Sequence, residues 1–189
     1  MQKRLKEKAL ELLQNGTVNR VLGWKTGEFF YDLTPAVFET AEEVEKDFVY
    51  SGFSGANLSK YLIAQSRKDG KIAVFLKPCD SYSFQQLLKE HRILRENVYV
   101  VGISCDGMLD IEKVRAAGCD GVTAVKENGD SLEVETIYES KILNRNDCPL
   151  ERCLVCKSKK VVVFDEMIGE QGDEQASDRF DMVAKLEAM

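Results

Sequence analysis

The segment Cys148-Pro-Leu-Glu-Arg-Cys153-Leu-Val-Cys156-Lys157 places three thiols at spacings of four and two residues, which lets one loop wrap its sulfurs around a single centre. Residues 144–160 are polar and aperiodic, with no core of their own, so a bound metal is the expected source of order there. The same spacing occurs in plant-type 2Fe-2S ferredoxins, whose fourth cysteine lies downstream. No cysteine follows Cys156, so the fourth ligand has to come from upstream. Cys79 follows an apolar run at 72–76 and Cys105 one at 98–103. If both runs are strands of a parallel sheet, both thiols sit at its carboxyl edge, where α/β proteins place their sites. Cys119 precedes a predicted strand, belongs at the opposite edge and is read as structural. Four thiolates suit a structural zinc as well as an iron-sulfur cluster, and the knuckle Cys153-x-x-Cys156 suits zinc, so the residues leave both open. Lys157, Lys159 and Lys160 would offset the negative charge of a thiolate-bound centre.

Two further features bear on cofactors. Ser51-Gly-Phe-Ser54-Gly55-Ala-Asn57 leads into a predicted helix, whose first N–H groups could receive the phosphate of a flavin or nucleotide. Lys77 and Asp80 flank Cys79 at another strand-to-helix junction, Lys77 as a contact for flavin or phosphate and Asp80 as a helix N-cap. His91, the single histidine, follows a charged helix end and is read as a surface residue, so the chain has no candidates for a Ser/His/Asp triad. Trp24 and the aromatic run Phe29, Phe30, Tyr31 are read as core.

The elements that must position these residues follow from periodicity. Leu5, Ala9, Leu12 and Leu13 recur at helical spacing before Asn15-Gly16. Residues 18–24 and 28–33 read as a hairpin, and Thr40-Ala-Glu-Glu43 is a capping box for a short helix. Then come a helix at 57–66, a strand at 72–76, a helix at 80–90, a strand at 98–103, a helix at 110–117 and a third strand at 122–125. Short unalternating apolar strands separated by helices predict a mostly parallel sheet buried on both faces and flanked by helices. Asn128-Gly129 predicts a hairpin that supplies an antiparallel edge, and 161–164 reads as one more strand. The expected organisation is an α/β domain over 1–165 with the cysteine-rich metal loop at 144–160, followed by an acidic linker and terminal helix over 166–189.

The chain has 189 residues and 44% hydrophobic content, enough for one sizeable core. A net charge of −6 without a basic track argues against nucleic acid as partner. The absence of a membrane-length apolar stretch or a signal core predicts a soluble, cytoplasmic protein. In that reducing setting, six clustered cysteines point to metal ligands rather than disulfides.

The phrases Lys77-Pro78-Cys79-Asp80-Ser81, Val101-Gly102-Ile103-Ser104-Cys105 and Cys148-Pro-x3-Cys153-x2-Cys156, in that order, resemble the beta-subunit family of coenzyme F-420 hydrogenases and dehydrogenases. They are most similar to the relatives beside heterodisulfide-reductase-like, formate dehydrogenase and hydrogenase subunits in anaerobes. The resemblance implies a 4Fe-4S cluster near a flavin (FAD), in a subunit that passes electrons between a hydride carrier and other redox subunits and is not active alone. It carries onto Cys79, Cys105, Cys148, Cys153 and Cys156, one more thiol than a cubane needs. Two departures stand out: the family's Gly-Thr-Pro-Cys is Lys-Pro-Cys here, and the ferredoxin-like Cys-x2-Cys-x2-Cys repeats of longer relatives do not follow. Either a stand-alone short form or an amino-terminal fragment would account for this. The competing reading is an interaction module with a structural zinc knuckle.

Overall fold

The two unalternating apolar runs form neighbouring strands, β3 (Ile72–Leu76) and β4 (Val98–Ile103), paired in parallel from Ile72 opposite Val98 to Leu76 opposite Gly102. The structure is a computed structural model and describes residues 1–173 and 186–188. Every residue of β3 is buried, as expected of a strand covered on both faces. β1 (Arg20–Thr26) pairs in parallel with β3 on its other side and antiparallel with the edge strand β2 (Leu33–Phe38). The helix α1 (Gln2–Gln14) packs over β1 and β3 and against α2 (Ala41–Asp47), and α4 (Pro78–Lys89) packs over β3 and β4. The predicted capping box at α2 is present, with Thr40 Oγ1 accepting from Glu43 N–H and Glu43 returning a bond to Thr40 N–H. The core is aromatic in its middle: Phe48 lies 5.7 Å from Phe38 and 5.4 Å from Phe75 between ring centroids.

The α/β expectation is borne out, with differences in where strands fall. The first hairpin's second strand starts at Leu33, not at 28, because Gly27 N–H bonds Asp32 C=O at 2.6 Å and the Asp32 carboxylate accepts from Glu28 N–H, closing 28–32 into a loop. On that loop Phe29 is half exposed, so it and its neighbours are not core, whereas Trp24 is buried. The helix expected at 57–66 is a 3-10 turn at Ser59–Tyr61 followed by α3 (Leu62–Gln65), since Asn57 Oδ1 accepts Ser59 N–H and starts the segment as a turn.

The run at 122–125 is not a strand of the parallel sheet. It begins β5 (Val122–Asn128) of a separate antiparallel sheet with β6 (Ser131–Thr136) and β7 (Ser140–Asn144). The Asn128-Gly129 hairpin forms, with Asn128 opposite Ser131 and Gly129 at φ 60°, but it joins strands of this second sheet instead of edging the first. Leu132 and Val134 alternate onto one buried face and form a second core with Leu109, Val114, Cys119 and Cys148. The last place in the parallel sheet goes to β8 (Glu166–Ile168), which pairs with β4, giving the order β2-β1-β3-β4-β8. It lies beyond the expected 161–164 because Asp165 anchors it: its carboxylate accepts from Val100 N–H at 2.7 Å and its N–H donates to Val100 C=O. Residues 166–168 are therefore strand, not linker, and most of the predicted terminal helix at 177–189 lies outside the described residues. No described helix is long and apolar enough to cross a membrane.

The tightest approach in the core is at Gly23 of β1, where an added Cβ would sit 2.4 Å from Phe48 Cε2. Gly23→Ala is expected to destabilise the fold by about 1–3 kcal/mol, the range for overpacking a filled core, read as a lower urea midpoint with unchanged slope.

Candidate metal centre

Parallel pairing of β3 and β4 brings two of the candidate thiols to one edge. β3 ends at Leu76 and runs through Lys77 into α4, whose first residue is Pro78 and second Cys79. This is a favourable start, because a helix's first N–H has no intrahelical partner and proline lacks one. β4 ends at Ile103 and is followed by Ser104 and Cys105. The third arm is the cysteine segment: Asp110 N–H donates to Cys148 C=O and Leu150 N–H to Met108 C=O, each at 2.8 Å, so 148–150 runs antiparallel to 108–110. The short helix α6 (Glu151–Leu154) is thereby set over the loop that carries Cys105.

Cys79, Cys105, Cys153 and Cys156 all line one cavity of about 410 Å³. Cys148 does not. It is buried in the second core beside Cys119, at the point where the segment is strapped to 110. Of the five candidate ligands, four are gathered and the fifth is a packing residue. Cys119 is structural as expected, although it precedes a strand of the second sheet and not of the parallel one.

Burial disfavours the thiolate at the two strand-end cysteines. Burial pushes Cys79 up to about 12, the Asp80 carboxylate adding to the effect and Lys77 opposing it, even though the sulfur itself faces the open cavity. Burial also raises Cys105, against the Gly107 N–H that bonds its sulfur and against Lys77. Met108 N–H donates to Cys153 Sγ at 3.3 Å. Thiols raised in this way ionise when a metal's charge compensates them, and backbone N–H donors aimed at sulfur then stabilise the thiolate. Among the described residues, no three His, Cys, Asp or Glu side chains are drawn together as a metal-ion site; what the four thiols share is the wall of one cavity.

Lys77 and Asp80, expected to contact a cofactor and to cap α4, do something else. Lys77 Nζ donates to Ser54 C=O at 2.9 Å and to Ala56 C=O at 3.2 Å, pairs with Asp80 Oδ2 at 2.9 Å, and lies 4.7 Å from the centre of the Trp24 ring. Its three N–H bonds are thus accounted for inside the protein. Asp80 sits within the first turn of α4, where Lys77 holds the N-cap position, and burial raises its carboxyl despite the opposing lysine. Ser54 is buried and its hydroxyl accepts Ser51 N–H, closing the turn, while Gly55 lines the cavity with its carbonyl bonded by Arg152 at 2.9 Å.

The residues that the sequence reading missed are those that hold the Cys105 loop. Gly107 has φ 96°, and an added Cβ would lie 3.4 Å from Cys153 Cβ; a glycine two residues after a cysteine at a strand end was the available signal. Arg145 donates to Asp106 C=O at 3.1 Å and to Gly107 C=O at 2.7 Å while pairing with Glu127 at 3.2 Å, and Glu127 accepts Gly52 N–H at 2.6 Å. No periodicity marks either residue, because their partners are distant in sequence.

Comparison with known proteins adds the following. No family model matches the chain. It is 36% identical over 98 residues to the F420-dependent formate dehydrogenase subunit beta of Methanocaldococcus jannaschii, covering 52% of this chain and 26% of that protein. It is 35% identical over 96 residues to the F420-dependent formate dehydrogenase 1 subunit beta of Methanococcus maripaludis, covering 51% and 24%. The chain thus spans about a quarter of the length of these curated relatives. Among solved structures, a chain of the F420-reducing nickel-iron hydrogenase complex from Methanosarcina barkeri superposes with a TM-score of 0.64 at 16% identity, over 80% of this chain and 58% of that one, a likeness of fold. These matches bear out the resemblance carried by the three cysteine phrases.

Lys77→Met would leave Asp80 buried without its counter-charge and the carbonyls of Ser54 and Ala56 without a donor. The expected loss is about 3–5 kcal/mol, and Lys77→Met combined with Asp80→Asn should recover part of it. Urea unfolding of the two variants against the parent checks both.

Proposed function

We propose that this relative of F420-dependent formate dehydrogenase beta subunits is an electron-transfer subunit or domain of an oxidoreductase complex, holding a 4Fe-4S cluster on Cys79, Cys105, Cys153 and Cys156. The observation that carries the reading is that these four thiols, from three separate segments, line one cavity while Cys148 turns away from it. When bound, the cluster supplies a centre that accepts and returns single electrons. What the chain does is hold and tune it. The carboxyl ends of β3 and β4 present Cys79 and Cys105 from a rigid sheet, α6 presents Cys153, and the residues just after it present Cys156. The Met108 and Gly107 N–H groups lower the electron density on two of the sulfurs, which favours the reduced state, and the lysines that follow Cys156 act in the same direction. Other redox subunits of such a complex are the proposed partners, the electrons arriving from one and leaving to another.

A flavin is not included in this assignment. Lys77 and Ser54, the residues expected to meet its phosphate, direct their polar atoms into the protein. A zinc knuckle is the competing reading; against it stands the origin of the cavity-lining thiols in two strand ends as well as the knuckle.

Protein purified without oxygen is expected to contain about four irons and four acid-labile sulfides per chain with a broad visible absorbance. One zinc per chain without sulfide would overturn the proposal. Single replacements should separate the cysteines: Cys79→Ala, Cys105→Ala, Cys153→Ala and Cys156→Ala each lose most of the iron, whereas Cys148→Ala keeps it and instead lowers thermal stability by roughly 1–2 kcal/mol through the small void left in the second core.

A further inference from the structure

The stretch 152–160 sets exposed apolar side chains among cations. Between two of the thiols that line the cavity, Leu154 and Val155 stand 56% and 67% exposed, large apolar side chains with no packing role. Around them the same stretch carries Arg152, Lys157, Lys159 and Lys160 and no Asp or Glu, on a chain whose net charge is −6. None of the three lysines forms an ion pair with a described residue. A second cavity that shares Cys105 is lined by Asp106, Glu170 and Asp173 together with Lys159, so the carboxylates meet the cationic stretch at that lysine. The apolar pair thus lies among cations beside the candidate cluster, a charge that attracts an approaching acidic protein.

We infer that Leu154 and Val155, with the surrounding Arg152, Lys157 and Lys160, form the docking surface for an acidic protein electron carrier whose own one-electron centre lies near an apolar surface patch. The inference rests on the cluster reading above and adds the place and the chemistry of the exchange. Leu154 and Val155 join Cys153 to Cys156, so a partner touching Val155 is separated from the centre by one residue and a thiolate. The transfer itself makes and breaks no bond: the reduced carrier loses one electron and the cluster gains it. The hydrophobic pair supplies contact area, and the cations supply association rate and register.

The test uses the anaerobically prepared, iron-loaded chain mixed in a stopped-flow instrument with reduced plant-type 2Fe-2S ferredoxin as the acidic carrier, following bleaching of the cluster. The bimolecular rate should fall on the order of tenfold between about 20 mM and about 500 mM salt, as expected for steering by opposite charges. Lys157→Glu together with Lys160→Glu should lower the low-salt rate by a similar factor and remove the salt dependence, and Val155→Asp should slow transfer at every salt concentration. Iron content, measured on the same samples, must stay at the parent value; a lowered cluster potential in the charge-reversed variant would slow transfer equally at every salt concentration, whereas loss of steering removes the salt dependence. A rate that is flat or rises with salt, or a charge-reversed variant that reacts like the parent at full iron content, would overturn the docking surface while leaving the cluster in place. Absence of iron and sulfide from the parent would remove both proposals together.

Discussion

A lysine and an aspartate, both almost fully buried, meet at the carboxyl edge of the parallel sheet. Taking two charges out of water is costly, and such a pair survives when its geometry is close and its remaining polar atoms are satisfied. Lys77 meets those conditions with two backbone carbonyls and the face of Trp24 in addition to Asp80. The consequence is mechanical. One ammonium group ties the end of β3, the first turn of α4 and the turn at 54–56 to each other, with the indole of β1 beneath. Cys79 lies between the two charged residues in sequence, so its place at the cavity is set by that knot.

The second sheet does for Cys105 what the ion pair does for Cys79. Glu127 on β5 holds the 52 turn, Arg145 beyond β7 holds the carbonyls of Asp106 and Gly107, and the two side chains hold one another. Two loops are thus fixed by side chains of the second sheet and the turn after it, and the Cys148 strap lowers α6 onto them. Between these fixed loops lies the cavity that four thiols line.

Local pattern carried much of this. The strands at 72–76 and 98–103, the α2 capping box, the helix after Pro78 and the Asn128-Gly129 turn are each specified by residues within a few positions of one another, through burial periodicity, capping and turn chemistry. From two of those strands the common edge of Cys79 and Cys105 followed, because parallel pairing of buried strands leaves little choice of where their ends lie. The sequence by itself therefore determined the kind of fold and the set of thiols from which a metal centre is drawn.

Tertiary structure decided which thiols and which sheet. Val122 to Val125 is as apolar as a buried parallel strand, and only its pairing with β6 shows that it covers a second core. Cys148 shares its motif with Cys153 and Cys156, yet backbone bonds to residue 110 turn it into that core. Lys77 reads as a free cation beside a cysteine until the carbonyls of residues 54 and 56 are seen to accept its N–H bonds. In each case the deciding partner is a backbone group or strand tens of residues away. A side chain's chemical type can be read along the chain, but which of its possible partners it meets is set by the packing of the whole, and that packing separates a ligand from a core residue and a binding group from a clamp.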